Sequence, residues 1–90
     1  MTPSETRFVI LVRLGWELRG LAIGSVVTLP AEGEAVLLVQ CPDGFRLSVL
    51  AAQHDDRWLI MWSPHGEMPA VRLDLAAREI AGVVAKHRVA

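Results

Sequence analysis

Residues 35–51, AVLLVQCPDGFRLSVLA, leave the chain little conformational choice. Before the turn, Ala35, Leu37, Val39 and Cys41 alternate with Glu34, Val36, Leu38 and Gln40. After it, Phe45, Leu47, Val49 and Ala51 alternate with Arg46, Ser48 and Leu50. Successive residues of a strand point to opposite faces, so each segment has one apolar side and one mixed side. Pro42 presets φ for a type I turn, and Gly44 suits the left-handed position of a three-residue loop. That loop pairs Cys41 with Phe45, Val39 with Leu47 and Leu37 with Val49, and cross-strand partners share a face. Loop length and apolar pattern thus specify the same antiparallel hairpin.

The segment RWLIMWSP, residues 57–64, has no evident period of its own. Read against the hairpin, its even positions Trp58, Ile60 and Trp62 form an apolar side. Its odd positions Arg57, Leu59, Met61 and Ser63 repeat the mixed pattern, with polar ends and an apolar middle. This register places the tryptophans in the core and needs an even-length loop after the third strand, such as Ala52–Asp55. A one-residue slip would turn both tryptophans outward.

Helices flank this central region. Residues 4–19 read as a helix with Ser4 as N-cap, Glu5 in the first turn and Gly20 as the stop. Thr6, Arg13 and Glu17 form its polar stripe, while apolar residues occupy most of the remaining circumference. A strand over Phe8–Val12 is the competing reading, because Val and Ile favour strands. Residues 74–88 give a cleaner helix, with Asp74 as N-cap. Ala76, Ala77, Ile80, Val83, Val84 and His87 lie on one face, and Arg78, Glu79, Gly82 and Lys86 lie opposite. Strands are expected at about 21–29, 34–41, 45–51 and 57–63, with a short extended stretch at Ala70–Leu73. The predicted fold is a single α+β domain over residues 1–90. It is a two-layer sandwich of N-terminal helix, four-stranded antiparallel meander and C-terminal helix.

With the helices on one face, the other face carries Val36, Leu38, Leu50, Leu59 and Met61. Glu34, Gln40, Arg46, Ser48, Arg57 and Ser63 rim them. Apolar patches with polar rims mark association surfaces, and these five residues are the expected interface of a homodimer. Composition points the same way. The chain is 52% hydrophobic over 90 residues, rich for a domain whose small size leaves much surface to cover.

Other function classes are disfavoured. The net charge of −1 offers no basic stripe for nucleic acid. No apolar run approaches a membrane span, and MTPSETR lacks a signal-peptide pattern. Cys41 is alone, which fits a reducing, cytoplasmic setting. One Lys against eight Arg, with no Asn or Tyr, suggests a GC-rich bacterial genome.

No catalytic residue, cofactor or metal site is expected. His54, Asp55 and Asp56 are ordinary turn residues without a converging partner. His65 sits at the opposite end of the same strand. Ligand spacings such as CxxC or HExxH are absent. Cys41 reads as a small core residue and His87 as a packed or dipole-stabilising one. Gly15, Gly20 and Gly24 lack the strand–loop–helix order of a phosphate site.

The segments LVRLGWELRGL, LSVLAA and DDRWLIMWSPHG resemble small actinobacterial α-β4-α proteins of unknown function. The resemblance implies a fold and no activity. In topology the chain is also similar to the double-stranded-RNA-binding domain, yet LDLAAREI stands where that family places its lysine cluster. Secretion chaperones share the mixture of helices and sheet, but are longer and more acidic. The leading expectation is a non-enzymatic, self-associating module that binds protein partners. The alternative is a small-molecule-binding or enzymatic domain, with its site on the outer sheet face or beside the first helix.

Overall fold

A computed structural model describes residues 1–31 and 33–87. The order is α1 (Pro3–Gly20), β1 (Ser25–Thr28), β2 (Val36–Gln40), β3 (Arg46–His54), β4 (Arg57–Trp62), β5 (Gly66–Pro69) and α2 (Leu73–Ala85). The strands form one antiparallel meander in the order β1-β2-β3-β4-β5. The α+β class is as expected, but among the described residues the sheet has five strands instead of four. The fifth lies at Gly66–Pro69, before the stretch predicted to be extended. One glycine and one proline among its four residues disguise it, and its extended form comes from pairing with β4. Proline is tolerated there because β5 is an edge strand.

The central hairpin has the register set by its loop. Leu37 faces Val49 and Val39 faces Leu47, while Cys41 N–H donates to the Phe45 carbonyl at 2.9 Å. Gly44 takes φ 86° in the turn, which a Cβ would oppose. Phe45, placed on the apolar side by the alternation, lies just before β3 and is exposed.

β3 continues three residues further than predicted, to His54, and pairs His54 with Arg57. Asp55 and Asp56 alone make the turn, both in the left-handed region at φ 48° and 64°. This is the two-residue hairpin geometry whose twist matches the flanking strands. The loop is even-length, so Ile60 and Trp62 enter the core and Trp58 packs against it.

The N-cap of α1 lies two residues earlier than expected. Thr2, not Ser4, is the N-cap: its hydroxyl accepts from the Glu5 N–H while Glu5 Oε1 accepts from the Thr2 N–H. This reciprocal box satisfies two otherwise unpaired donors. Gly20 is still helical, and the stop comes at Ala22. Ile23 N–H donates to the Leu18 carbonyl and Ala22 N–H to that of Arg19, both at 2.9 Å, the pattern of a Schellman cap. Ile23 and Leu18 both join the core, so residues 21–24, predicted to begin a strand, end the helix instead. Ala22 holds φ 63°, a conformation costing an L-residue about 1 kcal/mol. Ala22→Gly should therefore raise unfolding free energy by about that amount in urea titration; an unchanged midpoint would contradict this cap.

α2 starts at Leu73 with Arg72 at the N-cap and no side-chain cap. Asp74, expected there, lies in the first turn. Its carboxylate accepts from Arg72 at 3.4 Å, which holds it below the usual carboxylate range. The helix ends at Ala85; Arg88, the last residue of the predicted helix, lies outside the described residues.

Both helices pack on one face. α1 crosses β1, β2 and β3, and α2 lies over β5 and against α1. Leu11, Leu14 and Leu18 of α1 meet Leu37, Val39, Leu47, Val49 and Ile60 of the sheet and Ala76, Ala77 and Ile80 of α2 in one core. Arg7 fastens the first turns of α1. Its Nε donates to the Ala51 carbonyl at 3.0 Å, Nη2 lies 3.3 Å from Glu34 Oε1, and the guanidinium sits over the Trp58 ring at 5.5 Å. Arg7→Met leaves the Ala51 acceptor unpaired and should cost about 2 kcal/mol, read as a lower urea midpoint. A loss below about 0.5 kcal/mol, the scale of an ordinary surface change, would contradict this anchoring.

Candidate interaction surface

The expected interface residues are placed together by the ladder. Leu50 faces Met61, Leu38 faces Val26, Val36 faces Thr28 and Leu59 faces Pro69. All five lie on the face away from the helices, because their chain neighbours Leu37, Val49 and Ile60 are in the core. Val26 of β1 extends the band at 54% exposure; Leu50 and Met61 are 39% and 38% exposed. Val36, Leu38 and Leu59 are half-buried. The result is an apolar diagonal crossing β1 to β4.

The rim differs at one position. Gln40, Arg46, Ser48, Arg57 and Ser63 are exposed around the band, but Glu34 pairs with Arg7 of α1. Glu67 of β5, opposite Met61, supplies the acidic charge on this face instead.

A second apolar surface lies between α1 and β1. A groove of about 400 Å³ is lined by Val12, Trp16, Ile23, Val27 and Leu37, with Arg19 and Ser25 as polar members. Trp16 is 64% exposed there, and Arg19 stacks over its ring at 5.2 Å. The helical pattern placed Trp16 within the apolar arc but could not show that Leu11, Leu14 and Leu18 fill the core side, with Ile10 packed against it.

The His54–Asp56 turn holds only an exposed pair, His54 Nε2 to Asp55 Oδ2 at 3.5 Å. His65 is exposed at the other end of β4. Neither is joined by a converging acid, base or nucleophile among the described residues.

One grouping was not foreseen. Asp43, in the β2–β3 turn, and His87, beyond the end of α2, meet with Oδ2 to Nδ1 at 3.0 Å. Asp43 Oδ1 accepts from the Phe45 N–H at 2.9 Å. The bond from His87 and that from Phe45 hold the Asp43 carboxyl below its ordinary range. Phe45 stacks on the His87 ring, 4.8 Å between centroids and 3° from parallel. Cys41, a buried residue as predicted, completes the group; burial and the Asp43 charge push its thiol up. The donor atoms of Cys41, Asp43 and His87 all lie within 4.8 Å of one another. Cys41 and Asp43 share a turn, but His87 is 44 residues from Asp43, so no local spacing signals the cluster.

Comparison with known proteins finds no matching family model, curated protein or solved structure. No helix among the described residues is long and apolar enough to cross a membrane.

Proposed function

We propose that the protein is a non-enzymatic interaction module that associates with a second copy of itself through the open face of its sheet. The one-sidedness of the fold supports this reading: both helices cover the inner face, and the outer face presents an apolar band from Val26 to Met61. Apolar bands of this kind, depleted of charge at the centre and rimmed by polar groups, have the composition of interface cores. A second copy is the favoured occupant on electrostatic grounds. The net charge of −1 gives little mutual repulsion. The rim carries both signs, Arg46 and Arg57 against Glu67, so two copies related by a two-fold axis can oppose unlike charges. Two such sheets stacked about 10 Å apart make a four-layer assembly with the helices outside. Sedimentation equilibrium tests it: the expected species has twice the 9.9 kDa chain mass. A monomer throughout the high micromolar range would overturn the proposal.

The groove beside α1 favours a second reading, capture of a small apolar ligand. Its volume of about 400 Å³ falls within the usual range for ligand sites of roughly 300–1,000 Å³. Binding of an apolar dye that Trp16→Ala abolishes would support it, and binding insensitive to Trp16 would exclude it.

A further inference from the structure

We propose that Cys41, Asp43 and His87 form a binding site for a zinc-class divalent ion, separate from association through the sheet face. A thiol, an imidazole and a carboxylate make the mixed sulfur, nitrogen and oxygen set that zinc prefers. The donors come from two elements far apart in sequence, the β2–β3 turn and the residue following the C-cap of α2. Their donor atoms already lie within 4.8 Å of one another. His87 Nδ1 and Asp43 Oδ2 are 3.0 Å apart, near the roughly 3.3 Å edge that two ligands at about 2.0 Å span on a tetrahedral ion. The sulfur, with its longer bond of about 2.3 Å, must come from within 4.8 Å to about 3.5 Å of the other two donors.

The surroundings support the three ligands as metal sites require. The Phe45 N–H occupies Asp43 Oδ1 and leaves Oδ2 turned to His87. The Phe45 ring fixes the plane of the imidazole. Without an ion, burial disfavours the Cys41 thiolate; a bound cation reverses that balance. On binding, the Cys41 S–H bond breaks, its proton passes to solvent and a sulfur–metal bond forms. His87 gives up the Nδ1 proton that it shares with Asp43 Oδ2, either to solvent or by shifting to the tautomer protonated at Nε2, and Nδ1 and Oδ2 then each bond the ion. The fourth tetrahedral position falls to water. Such an ion would tie the end of α2 to the central hairpin, and small domains gain much from a staple of this kind.

Titration of the chelator-treated full chain with Co²⁺ and then Zn²⁺ tests the proposal. One equivalent of Co²⁺ should produce a near-ultraviolet thiolate-to-cobalt band, which Zn²⁺ bleaches, and Zn²⁺ should raise the melting temperature. Cys41→Ser should abolish the band. Cys41→Ser and His87→Gln should each weaken Zn²⁺ binding beyond the roughly 10–100-fold typical of losing an outer-sphere partner. His54→Gln and His65→Gln should leave it unchanged. His87 is only half-buried, so His87→Gln tests the site even if Cys41→Ser disturbs the core. Absence of the cobalt band in the native chain, or Zn²⁺ affinity unaltered by His87→Gln, would overturn the site and leave Asp43–His87 as a polar clamp only.

Discussion

Gly66→Ala should remove about 2–4 kcal/mol of stability, a large share of what a small domain possesses. Gly66 faces Trp62 across the β4–β5 ladder, and a Cβ built on Gly66 would coincide with the Trp62 indole. The ring covers the glycine at the edge of the core and is itself buried. The substituted chain has two options. It can push the indole into water, losing much of the burial of an aromatic side chain. Or it can displace β5, which pairs only with β4 and carries α2 on its inner side. Either route should lower the melting temperature by roughly 10–25 °C. A double-mutant cycle separates this clash from a backbone effect. In a Trp62→Leu background the ring is gone, and Gly66→Ala should then cost below about 1 kcal/mol. An equal cost in both backgrounds would contradict the close approach of Trp62.

Met61→Arg should dissociate the proposed dimer without unfolding the subunit. Met61 lies at the β4 end of the band, between Leu50 and Glu67, on the face away from the core. In a two-fold interface each substitution enters twice, and the new charges are buried opposite an apolar partner. At about 2 kcal/mol per contact, the pair amounts to roughly 4 kcal/mol, or about a thousandfold in Kd. Within one subunit the same change is a surface substitution, worth about 0.5 kcal/mol or less. Leu59→Arg should act in the same direction. Ile60→Arg, between them and fully buried, should instead abolish folding. A Met61→Arg chain that unfolds would mean the face is not open as described; one that stays dimeric would move association elsewhere, the α1–β1 groove being the next surface to test.

How much of this was legible in the sequence follows from where the constraints lie. The central hairpin was readable because loop length and alternation are independent and agree. β4 was readable only by reference to that hairpin, since its own pattern is apolar on both sides. The middle of its outer side stays apolar, and that is what makes the open face a candidate interface. β5 was hidden because Gly66, Met68 and Pro69 carry no strand signal; its extended form comes from the edge of β4. The Thr2 cap was visible in principle, since Thr2 and Glu5 have the spacing of a capping box, but Ser4 competed as an equally good N-cap type. Glu34 was assigned to the rim by alternation, yet it precedes β2 and Arg7 draws it to the helical side. The Cys41, Asp43 and His87 cluster depends on where α2 ends over the sheet, which no local pattern encodes.

In the proposed dimer a second copy covers the face bearing Val36, Leu38, Leu50, Leu59 and Met61. Methyl NMR spectra recorded across a dilution series test it most directly. Concentration-dependent shifts are expected at those five residues, with Leu11, Leu14 and Ile60 in the core unmoved. Spectra identical at every concentration, or shifts confined to Val12 and Val27 in the groove beside α1, would contradict it.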